Sequence, residues 1–244
     1  MVFKPPKDSM LNSLLDIILP DVCPFCEKAQ QRGLLCAGCR ALVETLRITG
    51  PLCTVCGTPF ASKTAPGHAC SQCVKHAMPF NEARSAFAYD SAVRDAIHSF
   101  KYGERLILAK PFGRMLSDGA ASVSIRPDII VPVPLHRKRL QMRGFNQSLL
   151  LARSVAGRLS IKLDYVSLRR VRATAPQIEL KHDERQKNVA GAFEVCRPQT
   201  FKGKNVLLID DVFTTGATVR ECAKVLKKAG AAVCVLTLAR AIQN

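Results

Sequence analysis

The chain has 244 residues, room for one large domain or a main domain with a small satellite, and its 48% hydrophobic content rules out general disorder. Aromatics make up 6%, with three Tyr and no Trp, which weakens any reading as a continuous base-stacking groove. A net charge of +17, from 36 Lys and Arg against 19 Asp and Glu, draws polyanions: nucleic acid, phosphorylated metabolites or an anionic surface.

No apolar run reaches the roughly 18 residues that a membrane span requires. The first apolar segment, SMLNSLLDIILP at 9–20, has the look of a signal core. However, Asn12, Ser13 and Asp16 interrupt it, and no small-residue cleavage site follows. Met10, Leu11, Leu14, Leu15, Ile18 and Leu19 recur at helical spacing, which predicts a short amphipathic helix within residues 1–20 and a cytoplasmic protein.

Residues 21–79 carry four CxxC pairs: Cys23/Cys26, Cys36/Cys39, Cys53/Cys56 and Cys70/Cys73. One such pair fits a redox motif. Four in succession read as zinc knuckles, because each CxxC turn aims two thiolates at one ion and two turns complete a tetrahedral site. Pro24, Gly38, Gly57 and Pro59 permit the tight turns. Pairing by proximity gives Cys23, Cys26, Cys36 and Cys39 to one Zn²⁺ ion and Cys53, Cys56, Cys70 and Cys73 to a second; an interleaved pairing is the alternative. Four thiolates leave no position open for water, so the expected role is structural. His68 and His76 are read as bystanders. Cys222, beside Val219, Ala223 and Leu226 on a helical face, and Cys234, inside an apolar strand, read as core residues, and Cys196 is unpaired in sequence.

From residue 80 the composition shifts to apolar strands alternating with amphipathic helices. Strands are predicted at 83–89, 128–135, 164–168, 205–209 and 231–239. Helices are predicted at 92–100, 106–121, 146–159 and 218–229. This alternation implies an α/β fold with a mostly parallel sheet and helices on both faces. Such sheets bind ligands at the carboxyl ends of their strands. Two adjacent acids, Asp210 and Asp211, and the segment VPVPLHRKR fall there. Thr214, Thr215, Gly216, Ala217 and Thr218 follow the acids and open a helix, offering backbone N–H groups, hydroxyls and a helix N-terminus to one phosphate. Neither a GxxxxGK loop nor a GxGxxG turn is present. A monophosphate cradle beside two carboxylates suits a sugar phosphate whose hydroxyls the acids accept, with Mg²⁺ nearby.

VLLIDDVFTTGAT resembles the phosphoribosyl pyrophosphate (PRPP) motif of type I phosphoribosyltransferases. Together with the preceding CxxC knuckles, the segment VPVPLHRKRLQMRGFNQS and the closing VLTLAR, it resembles the ComF family, whose GntX-like members place a zinc ribbon ahead of a transferase-like domain. That resemblance implies a type I phosphoribosyltransferase-like sheet over residues 80–244 after a double zinc ribbon. It implies Asp210 and Asp211 at the ribose diol and Thr214 to Thr218 at the 5′-phosphate. The segment holding Pro134, His136 and Arg137 would sit at the pyrophosphate, with Lys138, Arg139 and Arg143 as further cations. The same basic run reads equally as a solvated face. Residues 169–188 match in position a loop that closes over PRPP and excludes water, or else form a plain surface loop. Asn146 is read as a helix cap, with Gln147 either near the site or on the surface. His136 is a further candidate to act on a leaving group.

The resemblance implies a phosphoribosyltransferase of undefined acceptor, acting in single-stranded DNA handling, competence or nucleoside metabolism. A non-catalytic module using the PRPP site as a sensor, and binding single-stranded DNA or a competence-machinery protein, is the alternative. The DNA reading rests on phosphate contacts to the basic chain.

Overall fold

The computed structural model describes residues 22–28, 35–62, 67–102, 105–174 and 182–242. The amphipathic segment within 1–20 lies outside the described residues. The chain runs through short helices α1 (Ala37–Thr45) and α2 (Ser71–Lys75), then β1 (Glu82–Ala88), α3 (Ser91–Lys101), α4 (Ala109–Gly119) and β2 (Ile129–Pro132). There follow α5 (Arg137–Arg143), α6 (Gln147–Leu159), β3 (Lys162–Leu163), β4 (Leu168–Arg170), α7 (His182–Val189) and β5 (Phe193–Val195). The last elements are β6 (Asn205–Phe213), α8 (Ala217–Lys228) and β7 (Ala232–Arg240).

Five strands form one parallel sheet in the order β1-β7-β6-β2-β3, while β4 and β5 form a separate antiparallel pair. Successive strand residues face opposite sides, and the central strands are apolar on both. Leu207 and Ile209 of β6 join Leu236 and Leu238 of β7 in a core with Ile97, Phe100, Phe112, Leu116, Leu151 and Val155 from α3, α4 and α6. Val206 and Leu208 join Val233 and Val235 beneath Val219, Cys222 and Leu226 of α8 on the other face. The expected α/β sheet with helices on both faces is therefore present. Among the described residues no helix is long and apolar enough to cross a membrane.

Two predicted strands differ. The stretch 164–168 is not one strand, because Asp164 turns the chain: its Oδ1 accepts the N–H groups of Val166 (3.1 Å) and Ser167 (2.8 Å), and its Oδ2 accepts the Ser167 hydroxyl (2.7 Å). Such side-chain-to-backbone bonds compete with a ladder. The strand predicted over 205–209 continues to Phe213 and takes both aspartates into the sheet.

The cysteine-rich region packs on the outer edge of β1. Arg47 bridges Phe87 in antiparallel fashion, the Ile48 N–H donates to Ala86 O (3.0 Å), and the Ala88 N–H donates to Leu46 O (2.7 Å). Further along, the Ala83 N–H donates to Val55 O at 2.7 Å. The approach is closest at Gly57, whose φ of 72° suits glycine and where a Cβ would lie 2.3 Å from Ala83 O.

Candidate functional site

The strand-to-helix junction of β6 and α8 sets the site. Gly216 has φ 76°, in the left-handed region, and a Cβ there would meet the Phe213 ring at 2.5 Å. Only glycine lets the chain turn over that ring and point the first amides of the 12-residue helix α8 outward. Thr215 Oγ1 accepts the Ala217 N–H at 3.3 Å, bracing the turn from within.

The adjacent carboxylates, both buried, have different surroundings. Asp210 Oδ1 accepts the Ser148 hydroxyl (2.8 Å) and the Asp211 N–H (3.0 Å). Ser148 is held by Asn146, which caps α6 by accepting the Ser148 N–H (3.0 Å) and donates to Val133 O (3.1 Å). Asp211 Oδ1 pairs with the Lys101 ammonium at 3.1 Å, and its Oδ2 is buried with no partner among the described residues. A buried acceptor without a donor is costly, so this oxygen is free to take a hydroxyl or N–H from a water or a bound molecule. Burial, with Asp211 alongside, pushes the Asp210 carboxyl up to about 7, against the pull of Ser148 and Lys101. For Lys101, burial works against the charge, but Asp211 and Asp210 outweigh it and hold the ammonium above its ordinary range.

These groups open into one cavity of about 680 Å³, inside the span of roughly 300–1,000 Å³ usual for small-ligand sites. Asp210, Asp211 and Thr214 to Thr218 line it, with Leu135, Arg139, Arg143 and Arg170. Pro134, His136 and Arg137 are outside its wall; His136 instead caps α5, its Nδ1 accepting the Lys138 N–H at 3.3 Å, and Arg137 and Lys138 face solvent. Gln147 does reach the cavity and accepts from Arg143 Nη1 at 2.6 Å. Burial lowers the pKa of Arg143, and likewise that of Arg170. Arg139 donates to Thr174 O at 3.3 Å, and Arg170 donates to the Thr174 hydroxyl. Both thus meet at the start of the β4–β5 connection. Of that connection, 175–181 lies outside the described residues. Arg172, on its near arm, donates to Ala190 O at 2.6 Å.

Sequence reasoning missed Lys101 and an aromatic wall of Tyr89, His98 and Tyr102, in which the His98 and Tyr102 rings lie 4.5 Å apart, whereas Arg170 falls in the stretch 169–188 read as a loop over PRPP. They come from elements distant in sequence from the acid pair. Two of the chain's three tyrosines share this one cavity, a concentration visible only after folding.

The cysteines gather as two groups, Cys23, Cys26, Cys36, Cys39 and Cys53, Cys56, Cys70, Cys73, with ligand atoms within 4.8 Å of one another in each. The proximity pairing thus holds. Four sulfurs at that spacing fit a tetrahedral Zn²⁺ centre and support structural zinc. His68 and His76 belong to neither group, and His68 stacks on Phe60 at 4.3 Å. Cys222 and Cys234 are buried and Cys196 is exposed.

Comparison with known proteins agrees with this layout. The double zinc ribbon domain family matches residues 14–80, and the phosphoribosyl transferase domain family matches 146–243, a span holding the acid pair and the turn. Competence protein F of Haemophilus influenzae is 29% identical over 80% of this chain and 85% of its own length. Competence protein ComFC of Bacillus subtilis is 27% identical over 82% and 81%. DNA utilization protein YhgH of Salmonella typhimurium is 33% identical over 223 residues, covering 88% of this chain and 95% of the relative. The chain belongs to the ComF family. Its family pairing of a zinc ribbon with a phosphoribosyl transferase domain corresponds to the two cysteine groups and the parallel sheet described above.

Proposed function

We propose that the cavity binds PRPP and passes its phosphoribosyl group to an acceptor, in the service of DNA utilization. One observation carries the reading: Asp211, whose buried Oδ2 has no partner among the described residues, lines the same cavity as the phosphate-cradling turn at Gly216. In this reading Thr214 to Thr218 hold the 5′-phosphate through backbone amides and hydroxyls. Asp211 accepts a ribose hydroxyl with its free oxygen, and Asp210, tied to Ser148, fixes the strand beneath. Lys101, Arg139, Arg143 and Arg170 face the pyrophosphate, where fixed cations stabilise negative charge as it leaves. Pro134, His136 and Arg137 form the bend that carries Leu135 and Arg139 to the wall. The carboxylates also suit a hard cation, and Mg²⁺ bound there with PRPP would offset pyrophosphate charge. The bond from ribose C1 to pyrophosphate oxygen breaks with its electron pair on the leaving group, and an acceptor lone pair replaces it. Tyr89, His98 and Tyr102 offer that acceptor ring faces.

Calorimetry with PRPP, with and without Mg²⁺, tests the reading on wild type and on the Asp210→Asn/Asp211→Asn double variant. Mg²⁺-dependent binding in wild type alone is expected; equal binding by the variant sinks it. A second activity is favoured by the exposed Arg137 and Lys138 and by the names of the relatives: binding of single-stranded DNA through its phosphates. Its affinity should fall steeply with salt, and a flat salt response rejects it.

A further inference from the structure

We propose that Arg240 couples the second cysteine cluster to the phosphate-binding turn, so that the turn keeps its shape only while that cluster holds its metal. Arg240, the last residue of β7, is 3% exposed. Its Nη2 donates to Cys56 O at 2.7 Å and its Nη1 to the Thr58 hydroxyl at 2.7 Å. Thr58 in turn lies 3.1 Å from the Cys56 sulfur. Nε has no partner, and no carboxylate pairs with Arg240 among the described residues.

A buried guanidinium without a counter-charge is costly. The charge it lacks is the one a metal-loaded cluster supplies, since four thiolates around Zn²⁺ leave a net charge of about −2. Arg240 is thus read as the counter-ion of the second centre. Its other side serves the site: the guanidinium carbon lies 4.1 Å from the centroid of the Phe213 ring. That ring occupies the space under Gly216, and Phe213 O accepts the Ala241 N–H at 2.9 Å. The contacts therefore run without a gap from Cys56 through Arg240 and Phe213 to the turn. Among the described residues the first cluster makes no bond to Arg240 or Phe213; its Phe25 packs edge-on to Phe112, 5.7 Å away in the helical core.

The test uses the full zinc-loaded chain as wild type, Arg240→Met, Arg240→Lys, Phe213→Leu, Cys36→Ser and Cys70→Ser. Hydrogen exchange at the amides of 213–220, with no ligand added, is the first readout. Exchange there should quicken about tenfold, a usual scale for coupling between sites, in Arg240→Met, Phe213→Leu and Cys70→Ser. It should stay as wild type in Cys36→Ser. Arg240→Lys, which keeps charge but not the planar fork, should recover part of the protection. Unchanged exchange along Leu207 and Val235 separates a loosened turn from general unfolding. Phe213→Leu leaves the bonds to Cys56 and Thr58 intact and tests the last contact of the route alone, while Arg240→Met decides the matter even where a cysteine variant fails to fold. Wild-type exchange at 213–220 in folded Arg240→Met, or loosening confined to the cysteine-rich region, overturns the coupling.

PRPP calorimetry on the same set is the second readout and rests on the phosphoribosyl reading. About tenfold weaker binding in Arg240→Met is expected. Should wild type bind no PRPP while exchange follows the pattern, the coupling stands and the phosphoribosyl reading falls.

Discussion

The two cysteine clusters share spacing and ligand type but touch different parts of the molecule. The first, at Cys23, Cys26, Cys36 and Cys39, is joined to the helical layer by Phe25 against Phe112 and by an ion pair from Glu27 to Arg105 at 3.0 Å. The second sits against β1 and β7 and reaches the floor of the ligand cavity through Arg240. The first packs into the helical core and the second against Arg240, so on the coupling proposed above only the second bears on the turn, although the sequence motif is the same in both. Motif chemistry predicts that a metal is held, and packing decides what the metal is for.

Four substitutions break or sharpen that contrast. Phe112→Ala removes a ring that meets both Phe25 and Phe100 edge-on, at 5.7 and 5.5 Å. It should cost about 3–5 kcal/mol of stability in chemical denaturation while leaving the PRPP affinity of the folded fraction unchanged. A loss of affinity would merge the two regions into one. Gly216→Ala inverts the pattern. Strain at φ 76° and contact with Phe213 should cost about 1–3 kcal/mol, yet abolish PRPP binding by calorimetry.

The third test uses pH. Asp210 stands at about 7 in the folded chain, against about 3.9 when unfolded. A raised carboxyl contributes stability that is fully present below the unfolded value and is lost as pH rises through the folded one. The Tm of wild type, measured against Asp210→Asn, should therefore fall between pH about 4 and about 7. The same comparison with Phe112→Ala as the altered chain should show no such slope. The smallest effect is at the docking edge. Arg47 is half-exposed, bonded to Glu44 and stacked over Phe87. Arg47→Ala should cost roughly 0.5–1.5 kcal/mol, seen as a small shift in denaturation midpoint.

Much of this was legible in the sequence because it is local. Four CxxC turns specify their own geometry, and the run from Val206 to Thr218 encodes strand, acid pair and turn in one stretch. The failures are tertiary. Asp210 and Asp211 read as the end of a strand, since two like charges rarely enter a sheet; Ser148 and Lys101 make it tolerable, and neither adjoins them in sequence. The run Arg137–Arg143 reads as a basic face or an anion loop, whereas His136 at its N-cap and Gly144, in the left-handed region, frame a helix that turns Arg139 and Arg143 inward. Arg240 closes the motif VLTLAR as an ordinary basic residue. Its burial against a cysteine carbonyl depends on strands β1 and β7 lying side by side.

The contacts along β1 have a further effect. A parallel sheet ends in two bare rows of amides and carbonyls, a template onto which another chain can add. On one flank the last strand, β3, is two residues long, too short to recruit a partner. On the other, seven-residue β1 is covered by Leu46, Ile48 and Val55 from the cysteine-rich region. The ribbon thus doubles as a guard against edge-to-edge aggregation, and stripping its metals should first appear as light scattering at high protein concentration.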